Sequence, residues 1–317
     1  MRPHAFSTLG LAWIVGAALA FPLHAAEKAA GSKNGFDLSQ SSVPHEEILH
    51  GGPPRDGIPA LFEPKMLRAQ KAPWDDKDTV VGVSLGGEAR AYPIAILSWH
   101  ELVNDSVAGT PILVSYCPLC GTALVFDREV GGKVRTFGVS GLLYRSDLLL
   151  YDRETESLWS QISATSVAGP AMGTRLHVLR SRMTSWGEWK RSHPKSLVLS
   201  PETGHQRDYG RDPYAGYATS ERLLFPVRAD SRYHPKMPTL GVRLPSGAAR
   251  AYPAVELQRA GGSVQERFED HDVRVAYDPE RQLFSVEAPD AIEVIEGFWF
   301  AWAAFHPETT VFVADKP

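Results

Sequence analysis

The feature that most constrains this chain is a pattern that occurs twice, in the same order. Residues 81–93 (VGVSLGGEARAYP) return at 240–253 (LGVRLPSGAARAYP). Each copy reads as a strand, a glycine turn and a second strand, with a helix starting at the proline. Downstream, 112–118 (ILVSYCP) matches 273–279 (VRVAYDP), and 186–194 (WGEWKRSHP) matches 299–307 (WFAWAAFHP). The last pair predicts helices over 183–193 and 296–306, each with two Trp on one face and each ended before proline. Closing strands are expected at 197–199 and 311–313.

Three matches in one order predict a β-rich α+β body, built from two related modules at 79–200 and 239–317 and packed as one unit. Pro 24 and Gly 27 fit many turns and short strands better than long helices. A proline-rich N-terminal arm, 26–78, is expected to wrap the body. Residues 201–238 are expected to be a packed inter-module loop, with Arg207 and Tyr214 as the residues that would cap a pocket.

The repeat acts as an internal control. Positions kept in both copies are expected to be scaffold: Tyr92 and Tyr252, Tyr116 and Tyr277, Pro118 and Pro279, His193 and His306, and the paired Trp. Positions that differ are candidates for a role of one copy only. Cys117 stands opposite Asp278, Cys120 opposite Arg281, and His100 falls near Ala260. The first copy is also longer, by a block at about 127–183. The first copy should therefore carry the function.

The N-terminus has its own signature. A basic start (Met1 to His4) is followed by an apolar run over 9–21, then by Leu23 and Ala25 in the −3 and −1 places of a cleavage site. This predicts a secretory signal peptide over 1–25, because the run is shorter than the ~20 residues that cross a bilayer. The mature protein is then periplasmic or secreted. No later segment is apolar enough to span a membrane, and a net charge of −4 gives no reason to expect nucleic acid as a partner.

The only two cysteines lie in Tyr116-Cys117-Pro118-Leu119-Cys120-Gly121. A disulfide across so short a loop removes little chain entropy, so stapling explains it poorly. A strand is expected on either side and no helix follows. That is unlike a thioredoxin-type Cys-x-x-Cys, where a helix start lowers the thiol pKa. Cys-Pro-x-Cys-Gly between strands has the shape of a metal knuckle. With no second cysteine pair, other donors must complete the site. Cys117 and Cys120 with His100 as third ligand would suit copper or zinc.

The alternative is a thiol–disulfide oxidoreductase or other enzyme with Cys117 and Cys120 as its reactive groups. Tyr144, Arg145, Asp147, Trp159 and Gln161 of the inserted block would then line its substrate pocket. That block is expected to form two strands joined by a turn at 152–156. A non-catalytic binding module is the third reading. No phosphate loop, nucleophile elbow, His-Glu-x-x-His or haem-attachment motif is present.

Three of these motifs carry a resemblance: Tyr-Cys-Pro-Leu-Cys-Gly-Thr-Ala, Phe-Gly-Val-Ser-Gly-Leu-Leu-Tyr-x-Ser-Asp, and Tyr-Asp-Arg-Glu-Thr-Glu-Ser-Leu-Trp-Ser-Gln. Together they resemble the bacterial and archaeal family catalogued as domain of unknown function 3179, from about Ile58 to the C-terminus. The resemblance implies an exported protein and assigns no activity.

Overall fold

Tyr-Pro closes two hairpins in the same way. Strand Thr79–Leu85 turns through Gly86 and Gly87, at φ of 53° and 82°, into Glu88–Pro93, and strand Pro238–Arg243 pairs with Ala249–Pro253. Proline's fixed φ suits the residue just before a helix. Pro93 and Pro253 cap helices Ile94–His100 and Ala254–Arg259. The computed structural model describes residues 31–228 and 230–315, so the expected signal peptide lies outside the described residues. Among these, no helix is long and apolar enough to cross a membrane.

The architecture is β-rich with four short α-helices among the described residues, and five sheets of three to five strands stand in a propeller-like ring. Two of the sheets share an arrangement. In one, Ser181–Ser185, Thr79–Leu85, Glu88–Pro93 and Leu197–Leu199 lie side by side, the last pair parallel. In the other, Glu293–Phe298, Pro238–Arg243, Ala249–Pro253 and Thr310–Val311 do the same.

Each of these sheets has a helix inserted before its closing strand: Trp186–Ser192 and Trp299–Phe305. Both helices begin three residues later than the sequence suggests, because Met183–Ser185 and Glu296–Phe298 are still paired as strand. The second closing strand is Thr310–Val311, one residue earlier and one shorter than expected.

The two Trp-helices pack on glycine. A Cβ on Gly82 would sit 2.4 Å from the Trp189 ring, and one on Gly241 2.2 Å from Trp302. Trp189 Nε1 donates to Ser196 Oγ, and Trp302 Nε1 to Thr309 Oγ1. Beside each ring lies the paired histidine at 3.9 Å between centroids, His193 stacked on Trp189 and His306 tilted against Trp302. Both tryptophans are buried, and truncating either to Ala would cost about 3–5 kcal/mol.

The arm before residue 79 contributes edge strands. Ile48–His50 pairs with Phe137–Tyr144, Leu61–Phe62 with Leu102–Val107, and Met66–Arg68 with Leu197–Leu199. The inserted block forms Phe137–Tyr144, Asp147–Asp152, Leu158–Ser160 and Thr165–Ala168, where the sequence suggested two strands. The extra reversal sits at Arg145 and Ser146, both at positive φ (51° and 66°). Neither is a Gly or Asn, the residues that usually mark such a turn. The expected turn at 152–156 is present. Asp152 accepts from the Thr155 N–H and hydroxyl and from Trp159 Nε1.

Candidate metal centre

Strand Thr110–Cys117 enters the cysteine turn and Thr122–Asp127 leaves it, with Cys117 opposite Thr122. The Cys120 N–H donates to the Cys117 carbonyl at 3.2 Å and closes the turn. Gly121 takes φ 62°, but conformation alone does not demand glycine. The equivalent turn of the other hairpin holds Gln282 at φ 56°. Space is the stronger reason: a Cβ on Gly121 would meet the Phe298 ring at 3.2 Å. The Phe298 N–H also donates to the Cys120 carbonyl at 2.7 Å.

The turn at Arg145 and Ser146 then brings Asp147, the first residue of its strand, to the knuckle. Ligand atoms of Cys117, Cys120 and Asp147 all lie within 4.8 Å of one another, and all three residues are buried. Tetrahedral zinc with bonds of ~2.0–2.3 Å needs ligand atoms roughly 3.3–3.8 Å apart, so small side-chain rotations would close the set. The two thiols are free. The Cys120 thiol donates to the Ser146 carbonyl at 3.4 Å. Asp147 Oδ2 accepts from the Ile162 N–H at 3.1 Å, while Oδ1 has no partner.

A second buried carboxylate stands nearby. Glu101 follows helix Ile94–His100 at φ 58°, and its carbonyl accepts from the N–H of Tyr116 at 2.8 Å. Burial pushes its side chain up to about 8, and Asp147 adds to the shift. Burial likewise pushes Asp147 up to about 7, against the hydrogen bond from Ile162. Both thiols are raised, first by burial and then partly by neighbouring acids: Asp147 and Glu101 for Cys117, Asp147 for Cys120.

Four acidic groups thus share one buried site and push one another toward the neutral form. A cation would reverse this, since metal binding displaces protons from its ligands. A raised thiol pKa works against the reactive thiolate that an oxidoreductase needs.

Unsatisfied polar atoms concentrate at the same place. Buried side-chain atoms without a partner number eight among the described residues; Asp147 Oδ1, Ser146 Oγ, Gln161 Oε1 and Tyr217 Oη, four of them, belong to residues around the knuckle. Such groups normally find partners, so a cluster of orphans suggests a ligand, an ion or water.

The other expected site residues divide. Gln161 lies at the base of the knuckle hairpin, where its Nε2 donates to Ser115 Oγ and the Thr122 carbonyl. Trp159 is core: its Nε1 is held by Asp152 and its ring stands edge-on to Phe137. Tyr144 and Arg145 turn away from the cysteines, Tyr144 onto Phe305 and Arg145 to the Ala304 carbonyl and Glu47.

His100 is not in the cluster. Its Nδ1 is 2.7 Å from the Pro59 carbonyl and its Nε2 2.7 Å from Tyr209 Oη, so both ring nitrogens are engaged. The group that lies beside the cysteines is a carboxylate, Asp147, where the sequence suggested an imidazole.

Sequence reasoning gave no role to Glu101, Ser146 or Tyr217. Glu101 carried a weak signal, since the second copy has Gly261 and Gly262 at its helix end. Tyr217 comes from the segment between Leu199 and Pro238, which holds no strand or helix among the described residues. Lys236 supports that segment by donating to the Ser220 and Arg222 carbonyls, with its ammonium 3.9 Å from the Tyr217 ring centroid. Above the knuckle the segment borders a cleft of about 720 Å³, whose lining includes Tyr116, Pro118, Tyr214, Tyr217 and Phe298.

The chain belongs to the family described as "Protein of unknown function (DUF3179)", whose model matches residues 55–289. No curated protein and no solved structure matches the sequence.

Proposed function

We propose that this protein is an exported metal-binding protein that holds zinc through Cys117, Cys120 and Asp147. The observation that carries the reading is the buried group of two thiols and one carboxylate, with Asp147 Oδ1 lacking any partner. Two thiolates favour zinc or copper(I), and a hard carboxylate oxygen in place of imidazole shifts the preference to zinc. Three protein ligands leave a fourth position for Glu101, water or an outside ligand, the pattern of sites that exchange or react.

The export signal read from residues 1–25 supports periplasmic or secreted localisation. We also infer that the 79–200 and 239–317 stretches are diverged copies. Their matching sheet order and their paired Gly–Trp contacts support that.

Metal analysis of periplasm-purified protein, kept reduced, tests the reading. About one zinc per chain is expected, falling to near none in Cys117→Ser and Asp147→Asn and unchanged in His100→Ala. Wild-type protein that binds zinc no better than the Cys117→Ser/Cys120→Ser double variant would end it.

A further inference from the structure

The cleft above the knuckle has a chemistry of its own. Six aromatic side chains line it: Trp74, Tyr116, Tyr209, Tyr214, Tyr217 and Phe298. At about 720 Å³ it has the size of a small-molecule site. Its charged lining is three carboxylates, Asp75, Asp78 and Asp212, against one guanidinium, Arg211.

None of these four makes an ion pair among the described residues. Asp78 and Asp212 each accept one backbone N–H, from Asp75 and Tyr214. The lining therefore carries more negative charge than positive, and its acids lack basic partners. Tyr217 is 9% exposed, and its hydroxyl is buried without a partner.

Aromatic faces attract cations through their quadrupoles, most strongly where water is excluded. The molecule already uses this attraction here, in the ammonium of Lys236 over the Tyr217 ring. That lysine is held by two carbonyls and is not part of the cleft lining. A neutral ligand would gain from the rings but nothing from the carboxylates, and an anion would be repelled by them. A cation with an apolar body satisfies both.

We infer that the cleft is a binding site for a small organic cation, an amine or quaternary ammonium compound, seated between Tyr214, Tyr217 and Trp74 and facing the carboxylates. The knuckle's Tyr116 and Pro118 lie in the same lining, which places the ligand next to the metal centre proposed above. The inference rests on the walls of the cleft and does not need the metal to be present.

Calorimetric titration with choline and with its uncharged isostere 3,3-dimethyl-1-butanol tests it, with benzoate and glucose alongside. Choline should bind at least tenfold more tightly than the isostere. Tyr214→Leu should lose at least tenfold in choline affinity. Asp75→Asn should lose a few-fold for choline and nothing for the isostere, with melting temperature and metal content unchanged in both variants. Choline binding should persist in the Cys117→Ser/Cys120→Ser protein, which separates this inference from the metal reading. Equal affinity for choline and the isostere, no binding of choline at millimolar concentration, or binding of benzoate or glucose in its stead would overturn it.

Discussion

Two turns in this molecule have the same backbone and opposite chemistry. Both join antiparallel strands after Tyr-x-Pro, with Cys117 paired to Thr122 in one and Asp278 to Leu283 in the other. Both place the residue before the return strand at positive φ, Gly121 at 62° and Gln282 at 56°. In the second turn Asp278 accepts from the N–H groups of Glu280 and Arg281 and pairs with the Arg281 side chain. Its acid is held below the usual carboxylate range, first by the Arg281 N–H. In the first turn the side chains at the matching places are buried thiols, and the acids beside them, Asp147 and Glu101, are pushed up by burial. One turn satisfies its own polar groups in water. The other keeps buried polar atoms without partners beside it, Ser146 Oγ and Asp147 Oδ1 among them.

The largest test of this contrast is metal content. Asp147→Asn should cut zinc affinity by well over the 10–100-fold typical of losing a supporting residue, while Asp278→Asn should leave it unchanged. Competition with a chromophoric chelator reads both. Saturating zinc at about 1,000 times its Kd should stabilise the wild type by roughly 4 kcal/mol in denaturant titrations and leave the Asp147→Asn protein unaffected.

Next in size, Gly82→Ala and Gly241→Ala should each destabilise by about 1–3 kcal/mol, because the new methyl meets a rigid indole in both halves. Urea midpoints with unchanged m-values would show it. A cost in one half alone would break the structural equivalence of the two sheets.

The two turns should also respond to pH with opposite sign. For Asp147 and Glu101 the folded values, about 7 and 8, lie above the unfolded ones. The folded metal-free protein then binds protons more tightly than the unfolded chain. The stability they contribute is whole below about pH 4 and is lost as pH rises through 7 and 8. Asp278, with a lowered value, contributes stability above its unfolded pKa that is lost on acidification. Metal-stripped Asp147→Asn should therefore lose less stability than its parent between pH 5 and pH 8, whereas Asp278→Asn should follow the parent over that range. The smallest effect expected is that of Asp278→Ala at neutral pH, a slight drop in melting temperature.

Much of the scaffold could be read from residues. Tyr-Pro at 92–93 and 252–253 ends a strand and begins a helix because proline suits that junction, whereas the packing of the repeated Trp on Gly82 and Gly241 was visible only in the structure. The cysteine pair stood out because its twin turn has none. Asp147 was legible as a pocket residue beside Cys117, but not as the cysteines' partner in a metal site. His100 lies close in sequence, but the backbone carries it to Pro59 and Tyr209. Asp147 arrives through a reversal at Arg145 and Ser146, residues that rarely take the positive φ they have there, and Tyr217 arrives on a segment with no periodic pattern at all.

The contact of Phe298 with the knuckle has a consequence for synthesis. The cysteines, Asp147 and Glu101 all emerge from the ribosome long before Phe298, which covers Gly121 and bonds the Cys120 carbonyl. A nascent chain therefore carries two open thiols beside two carboxylates, with one wall of their enclosure not yet made. Under the proposed function, loading with metal is an event of the finished chain, and a truncation before residue 298 should leave thiols that alkylating reagents reach quickly.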